Sequence, residues 1–234
     1  MQDPILNRVL AQEFFNWQTP QDLLGRSRKY ITNVGSERFL STGGEHEKTV
    51  QEALVGSTFA SCLSCKTGDM KMRMAEQGAA LKDFELELDH SIHEFEVTVA
   101  YEPNYKIRRA WRNGQSPKIP VDAFCASPID PKLLAAVVQK KTQKACKSPR
   151  KTKRHLVVYQ CIWGGLPDLK DLRSLCDEAA SAWASAWIIS GVPFAGGVGL
   201  LFNDYGFDWP IMEWLSYVDA KQGGGFGGFD IYLQ

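Results

Sequence analysis

Residues 83–98, Asp83-Phe-Glu-Leu-Glu-Leu-Asp-His followed by Ser91-Ile-His-Glu-Phe-Glu-Val-Thr98, alternate acidic and apolar side chains. This is the period of a half-buried strand. Phe84, Leu86 and Leu88 fall on one face, with Asp83, Glu85 and Glu87 on the other. After a turn near Asp89–Ser91, a second strand carries Ile92, Glu94, Glu96 and Thr98 on one side. His93, Phe95, Val97 and Val99 take the other side. Two such strands bring Asp83 and Glu96 together at one sheet edge. Carboxylates held close repel each other unless a proton or a cation lies between them. A hard divalent cation, Mg2+ or Mn2+, is the natural guest of oxygen ligands. A surface hairpin shows the same alternation, so the chemistry turns on what other elements bring to these two acids.

The charge distribution bears on the partner. The 234-residue chain has a formal net charge of zero. Between Pro103 and Pro167, however, it holds fourteen Lys/Arg and two acids, Asp122 and Asp130. The remainder carries thirteen basic and twenty-five acidic residues. A basic block of this kind is the footprint of a phosphate-rich partner, or else a solvated loop and helix face. Arg108, Arg109 and Arg112 interleave with Tyr101, Tyr105 and Trp111, and Lys151, Lys153 and Arg154 follow later. These six cations are the candidate nucleic-acid-binding residues, with the aromatics available for stacking on an unpaired base.

The positioning elements follow from pattern. Residues 4–30 read as helical, broken at Thr19-Pro20. A glycine-containing loop is expected over 31–46. Thr49 then caps a helix over about 50–63, and a second helix follows Thr67-Gly68-Asp69 and ends near Gly78. The two acidic strands come next. Asp130-Pro131 opens a helix with Leu133, Leu134, Val137 and Val138 as its buried stripe. Leu156 to Trp163 is a buried strand after a basic loop. Asp168 starts a helix reaching about Ala184, and strands are expected at 187–189, 198–202 and 229–233, the last after a glycine-rich joint. The class is α/β.

This order of parts resembles the core of the PD-(D/E)XK nuclease superfamily, the restriction-endonuclease-like fold, over about residues 50–202. The resemblance implies a mixed central sheet flanked by helices, over 49–204. It leaves an N-terminal helical extension over 1–48 and a C-terminal appendage over 205–234. It further implies a Mg2+-dependent (or Mn2+-dependent) nuclease hydrolysing phosphodiester bonds in DNA. Asp83 and Glu96 become the metal-binding, catalytic acids. Two positions depart from the family pattern: Lys82 stands where Pro is usual, and Thr98 where the strand Lys is usual. Some members place that Lys or Gln on the following helix. Lys141 is the first choice there, four residues after Val137, with Lys140 and Gln139 beside it. A non-catalytic member of the same fold, binding nucleic acid or protein, is the alternative because of Thr98.

Other motifs carry less. Cys62-Leu-Ser-Cys65 is a lone CxxC, without a second pair at zinc spacing. Residues 56–89 also resemble the central helix and strand of the OsmC-type thiol peroxidases, which would make Cys62 or Cys65 reactive. His90 and His93 fall on opposite faces of an extended strand. The six scattered cysteines suit reduced thiols in a cytoplasmic protein. No apolar run is long enough for a membrane span, no signal peptide is read at the N-terminus, and a homodimer is compatible with the pattern.

Overall fold

The computed structural model describes residues 12–35, 45–67, 69–76, 82–101, 128–147, 153–161, 165–190, 195–204, 214–219 and 229–233. Its elements are helix α1 (Pro20–Val34), helix α2 (Glu45–Thr67), strands β1 (Lys71–Met74), β2 (Phe84–Leu88) and β3 (Ser91–Tyr101), and helix α3 (Pro131–Cys146). Strand β4 (Arg154–Cys161), helix α4 (Leu169–Ser174), β5 (Trp183–Ser190), β6 (Ala195–Asn203), β7 (Trp214–Asp219) and β8 (Phe229–Leu233) complete the order. The strands form one sheet in sequence order. Strands β1 to β6 make a mixed sheet flanked by helices, and β7 and β8 continue it at one edge. Pairing is antiparallel except for β3 with β4 and β4 with β5, which run parallel. The α3 crossover allows β3 and β4 to be parallel, since parallel neighbours need a long connection.

Period-two alternation distributes the central strands between two cores. Val157, Trp187, Ile189, Val198 and Leu200 join α1 and α2 on one side. Leu156, Val158, Ala186, Ile188 and Leu201 join α3 and α4 on the other. Strands buried on both faces read as continuous apolar runs, and β5 is buried at every position. Phe59 of α2 anchors the first core. Its ring lies 5.1 Å from Trp187 and 5.5 Å from Phe95, and Phe95 stacks on Phe84 at 4.8 Å. Each such aromatic pair contributes about 0.5–1.5 kcal/mol beyond the area it buries.

Local chemistry sets the helix ends. The Thr19 hydroxyl accepts from the Asp22 amide, and Pro20 fills the first turn of α1. Helix α1 runs on to Val34, beyond the expected end at residue 30, and Gly35 ends it at φ 85°. Asp130 caps α3 as its spacing implies, accepting from the Lys132 amide at 2.9 Å. Three expectations fail here. Thr49 lies inside α2, which starts at Glu45. The second helix expected after Thr67 is instead strand β1, whose Met72 and Met74 are buried while Lys71 is exposed. Four alternating residues suffice for an edge strand and are too few for period counting to separate from a helix turn. The long helix expected from Asp168 stops at Ser174, and a 3-10 turn over Asp177–Ser181 follows.

Helix α2 is buried nearly all round from Val55 to Leu63, as expected of a helix lying inside a core. Ser57 and Thr58 hydroxyls return to the Leu54 carbonyl, so their burial leaves no wasted donor. Gly56 sets how closely α2 lies on β2. A Cβ there would stand 3.0 Å from the Phe84 ring, and that ring is held by its stack on Phe95. Gly56→Ala gains about 1 kcal/mol of helix propensity but overpacks at a cost of about 1–3 kcal/mol. The expected net is a destabilisation of about 1 kcal/mol in urea unfolding. A stabilised variant would show that Phe84 yields freely.

Candidate active site

The hairpin turn is at Asp89 and His90, both left-handed at φ 47° and 63°, the conformation of a two-residue hairpin loop. It fixes the register that pairs Phe84 with Phe95 and Glu85 with Glu94. Asp83 comes immediately before Phe84, where this regular pairing ends. The Asp83 amide donates to the Phe95 carbonyl at 2.9 Å, and the Ala75 amide donates to the Asp83 carbonyl at 3.0 Å. The Asp83 carboxylate, not its backbone, then accepts from the Val97 amide at 2.7 Å. The β2–β3 ladder therefore ends on a side chain, and the carboxylate is fixed by the sheet itself.

Helix α3 supplies the cation. Leu134, Ala135, Val138 and Thr142 face the core, which leaves Lys141 at the margin of that stripe. Its Nζ lies 2.5 Å from Glu96 Oε1. Lys140 and Gln139 are exposed, and Gln139 points to the Leu175 carbonyl at 3.4 Å. Of the three α3 candidates, the structure brings only Lys141 to the acids.

Helix α2 adds a residue that the sequence reading missed. Glu52 pairs with Lys48 at 3.0 Å and is 15% exposed. Burial first, and then the charge of Asp83, push its carboxyl up to about 7. Asp83 is also raised, chiefly by burial and further by the Glu96 charge, against the opposing pull of the Val97 amide and of Lys48 and Lys141. Lys48 is raised, because the attraction of Glu52, Asp83 and Glu96 outweighs its burial. Three carboxylates and two ammonium groups thus share one electrostatic site. An i,i+4 Lys48–Glu52 pair reads in sequence as a solvated helix face, and only the burial of α2 makes it otherwise.

A second charge network crosses the sheet beside this site. Arg73 Nε donates to Glu85 at 2.6 Å, Lys82 bonds Glu85 and also Glu94, the latter at 3.0 Å, and Arg154 Nε donates to Glu94 at 2.9 Å. Glu85 and Glu94 are cross-strand partners and would repel if left alone. Lys82 lies between them and bonds both, which gives it a structural task. Burial would raise both carboxyls, but their bonds to Lys82, Arg73 and Arg154 outweigh it and hold them low. Arg154, expected on the phosphate-binding surface, is instead 5% exposed at the start of β4 and engaged by Glu94. Lys153 is half-exposed, with Nζ 2.7 Å from the Ala180 carbonyl and 3.5 Å from Asp204. Arg108, Arg109, Arg112 and Lys151 lie outside the described residues, as do Tyr105 and Trp111.

The remaining motifs resolve more simply. Cys62 is buried in the α2 core at 0% exposure, unlike reactive thiols, which are partly exposed. His90 is a turn residue. His93 faces inward and pairs with His155 of β4, Nδ1 to Nε2, at 3.2 Å. Among the described residues no helix is long and apolar enough to cross a membrane. No family model, curated protein or solved structure gives a significant match to the chain.

Proposed function

We propose that the chain is a metal-dependent nuclease acting on DNA, with Asp83, Glu96 and Lys141 at its centre. One observation carries this reading. Asp83 at β2's leading end feels the charges of Glu96 on β3 and Lys141 on α3, and Lys141 is bonded to Glu96. The restriction-endonuclease-like fold belongs to the same proposal, supported by the order helix, hairpin, crossover helix and parallel strand.

The donor set suits Mg2+ or Mn2+. It consists of hard carboxylate oxygens, and Mg2+ commonly takes one or two of these plus water and substrate phosphate. Among the described residues no three acidic, His or Cys side chains gather into a group that could hold a metal ion, so the proposal rests on two carboxylates with substrate and water completing the shell. Asp83 and Glu96 would hold it, with Glu52 near enough to feel the charge of Asp83. A bound ion supplies Lewis-acid stabilisation of the phosphate and a more acidic water. The protein's own residues supply the rest. The Val97 amide orients the Asp83 carboxylate. Lys141 pairs with Glu96, and in this reading its ammonium would oppose charge developing on the phosphate. Lys48 offsets Glu52.

The test is cleavage of plasmid and linear DNA by the purified protein in Mg2+ or Mn2+, with EDTA as control. Lys141→Met should slow turnover by about a hundredfold, as for loss of one preorganised transition-state donor, while DNA affinity changes little. Binding of DNA without cleavage in either metal would replace this reading with the non-catalytic one, for which Thr98 in place of the strand Lys speaks.

A further inference from the structure

Directly beside Asp83 lies a cleft of about 250 Å³. Phe15, Met74 and Ala75 form its apolar wall, and Arg73, Lys82 and Glu85 its polar side. It touches the candidate centre through the backbone. Lys82 precedes Asp83, and the Ala75 amide holds the Asp83 carbonyl. The polar side is fixed in place. The Arg73 guanidinium sits 4.6 Å from the Trp17 ring and bonds Glu85, which also receives Lys82. With Glu76 also in the lining, the cleft is bordered by two cations and two carboxylates. That balance disfavours a phosphate and suits a neutral ligand whose edge offers both donors and acceptors. The apolar wall calls for a flat face. The volume is below the roughly 300–1,000 Å³ of sites for larger ligands, so a duplex segment does not fit.

We propose that this cleft receives one unstacked nucleobase, from the nucleotide next to the phosphate held at Asp83 and Glu96. The base stacks on Phe15 and lays its edge along Arg73 and Glu85. The proposal rests on the nuclease reading for the neighbouring phosphate, and deepens it by naming the substrate form. A base can enter such a pocket only from a single strand, or by leaving a duplex at the cost of unpairing. Single-stranded or frayed DNA is therefore the preferred ligand.

The experiment measures binding of a short fluorescein-labelled single-stranded DNA, and of the same sequence as a duplex, in EDTA. Phe15→Leu keeps apolar volume and removes the aromatic face. It should weaken single-strand binding about tenfold, the effect of losing one base–aromatic stack, and leave duplex binding unchanged. Phe15→Tyr should restore it. If Phe15→Leu fails to fold, Ala75→Leu, which narrows the cleft from its own wall, should give the same selective loss. The proposal is overturned if the loss is equal for both DNAs, if there is none, or if neither DNA binds. Cleavage in Mg2+ on the same preparations separates the two readings. Phe15-dependent single-strand binding with no cleavage upholds the cleft and removes the nuclease. Cleavage of both DNAs without any dependence on Phe15 does the reverse.

Discussion

Asp83→Asn and Glu96→Gln should each lower metal-dependent cleavage by at least about a hundredfold, since even residues that merely orient metal ligands commonly contribute 10–100-fold. Neither should lower the melting temperature, and Asp83→Asn should raise it. The reason is the electrostatics of the site. Burial is the largest influence on Asp83 and it opposes ionisation, with the Glu96 charge adding to it. An Asn side-chain oxygen can still accept from the Val97 amide, so the ladder keeps its end. The variant loses a desolvated charge, which outweighs the lost attraction to Lys48 and Lys141. A stabilised, inactive protein is the signature of a site whose charge arrangement opposes folding and serves function. The measurements are cleavage rate in Mg2+ and thermal unfolding in EDTA. Full activity in both variants would sink the nuclease reading. A large loss of stability in Asp83→Asn would mark the carboxylate as a structural tie only.

Much of this site is legible in the sequence, and the missing parts have physical reasons. Alternation in 83–98 gives the face of each acid because a strand has a period of two, and a two-residue turn leaves only one register open. Lys141 is legible because helix periodicity places it at the margin of the Leu134–Val138 stripe. Glu52 is not legible, because the first two turns of α2 are charged and read as a solvated face, while from Ala53 onward apolar and small residues lie on every side and leave no stripe from which to read orientation. Arg154 reads as part of a basic run, and only the cross-strand placement of Glu94 turns it inward. Strand β1 is too short for its period to declare itself. The His93–His155 contact joins residues 62 positions apart, and nothing local in either segment signals it.

That histidine pair produces the second large effect. Trp187 Nε1 donates to Ser185 Oγ at 2.6 Å, so the Ser185 hydroxyl hydrogen is available for His155 Nδ1 at 2.7 Å. His155 then accepts at Nδ1 and donates from Nε2 to His93 Nδ1. This chain requires both rings to be neutral. Burial, helped by the neighbouring His93, pushes His155 down to about 3, and burial lowers His93 as well. A depressed His contributes stability that is complete above its unfolded value near 6.5, and that drains away as pH falls toward 3. Glu52 acts with the opposite sign. At about 7 in the fold, against 4.5 for the free side chain, it takes up a proton in the native state first. Acidification from pH 7 to 4.5 therefore stabilises the fold through Glu52, and Asp83 adds in the same direction. Each group acting alone gives a slope of about 1.4 kcal/mol per pH unit. Between pH 6.5 and 4.5 the two nearly cancel, and wild-type stability should be almost flat in metal-free buffer. Glu52→Gln should be more stable than wild type at pH 7 and lose stability steeply on acidification. His155→Gln should be less stable at pH 7 and gain stability as pH falls to 4.5. Below about 4.5 both variants and the wild type should fall together, because the low-held Glu85 and Glu94 then lose their ion pairs. Urea unfolding at stepped pH reads all three curves. Parallel curves between pH 6.5 and 4.5 would show that neither group carries the shift its burial implies.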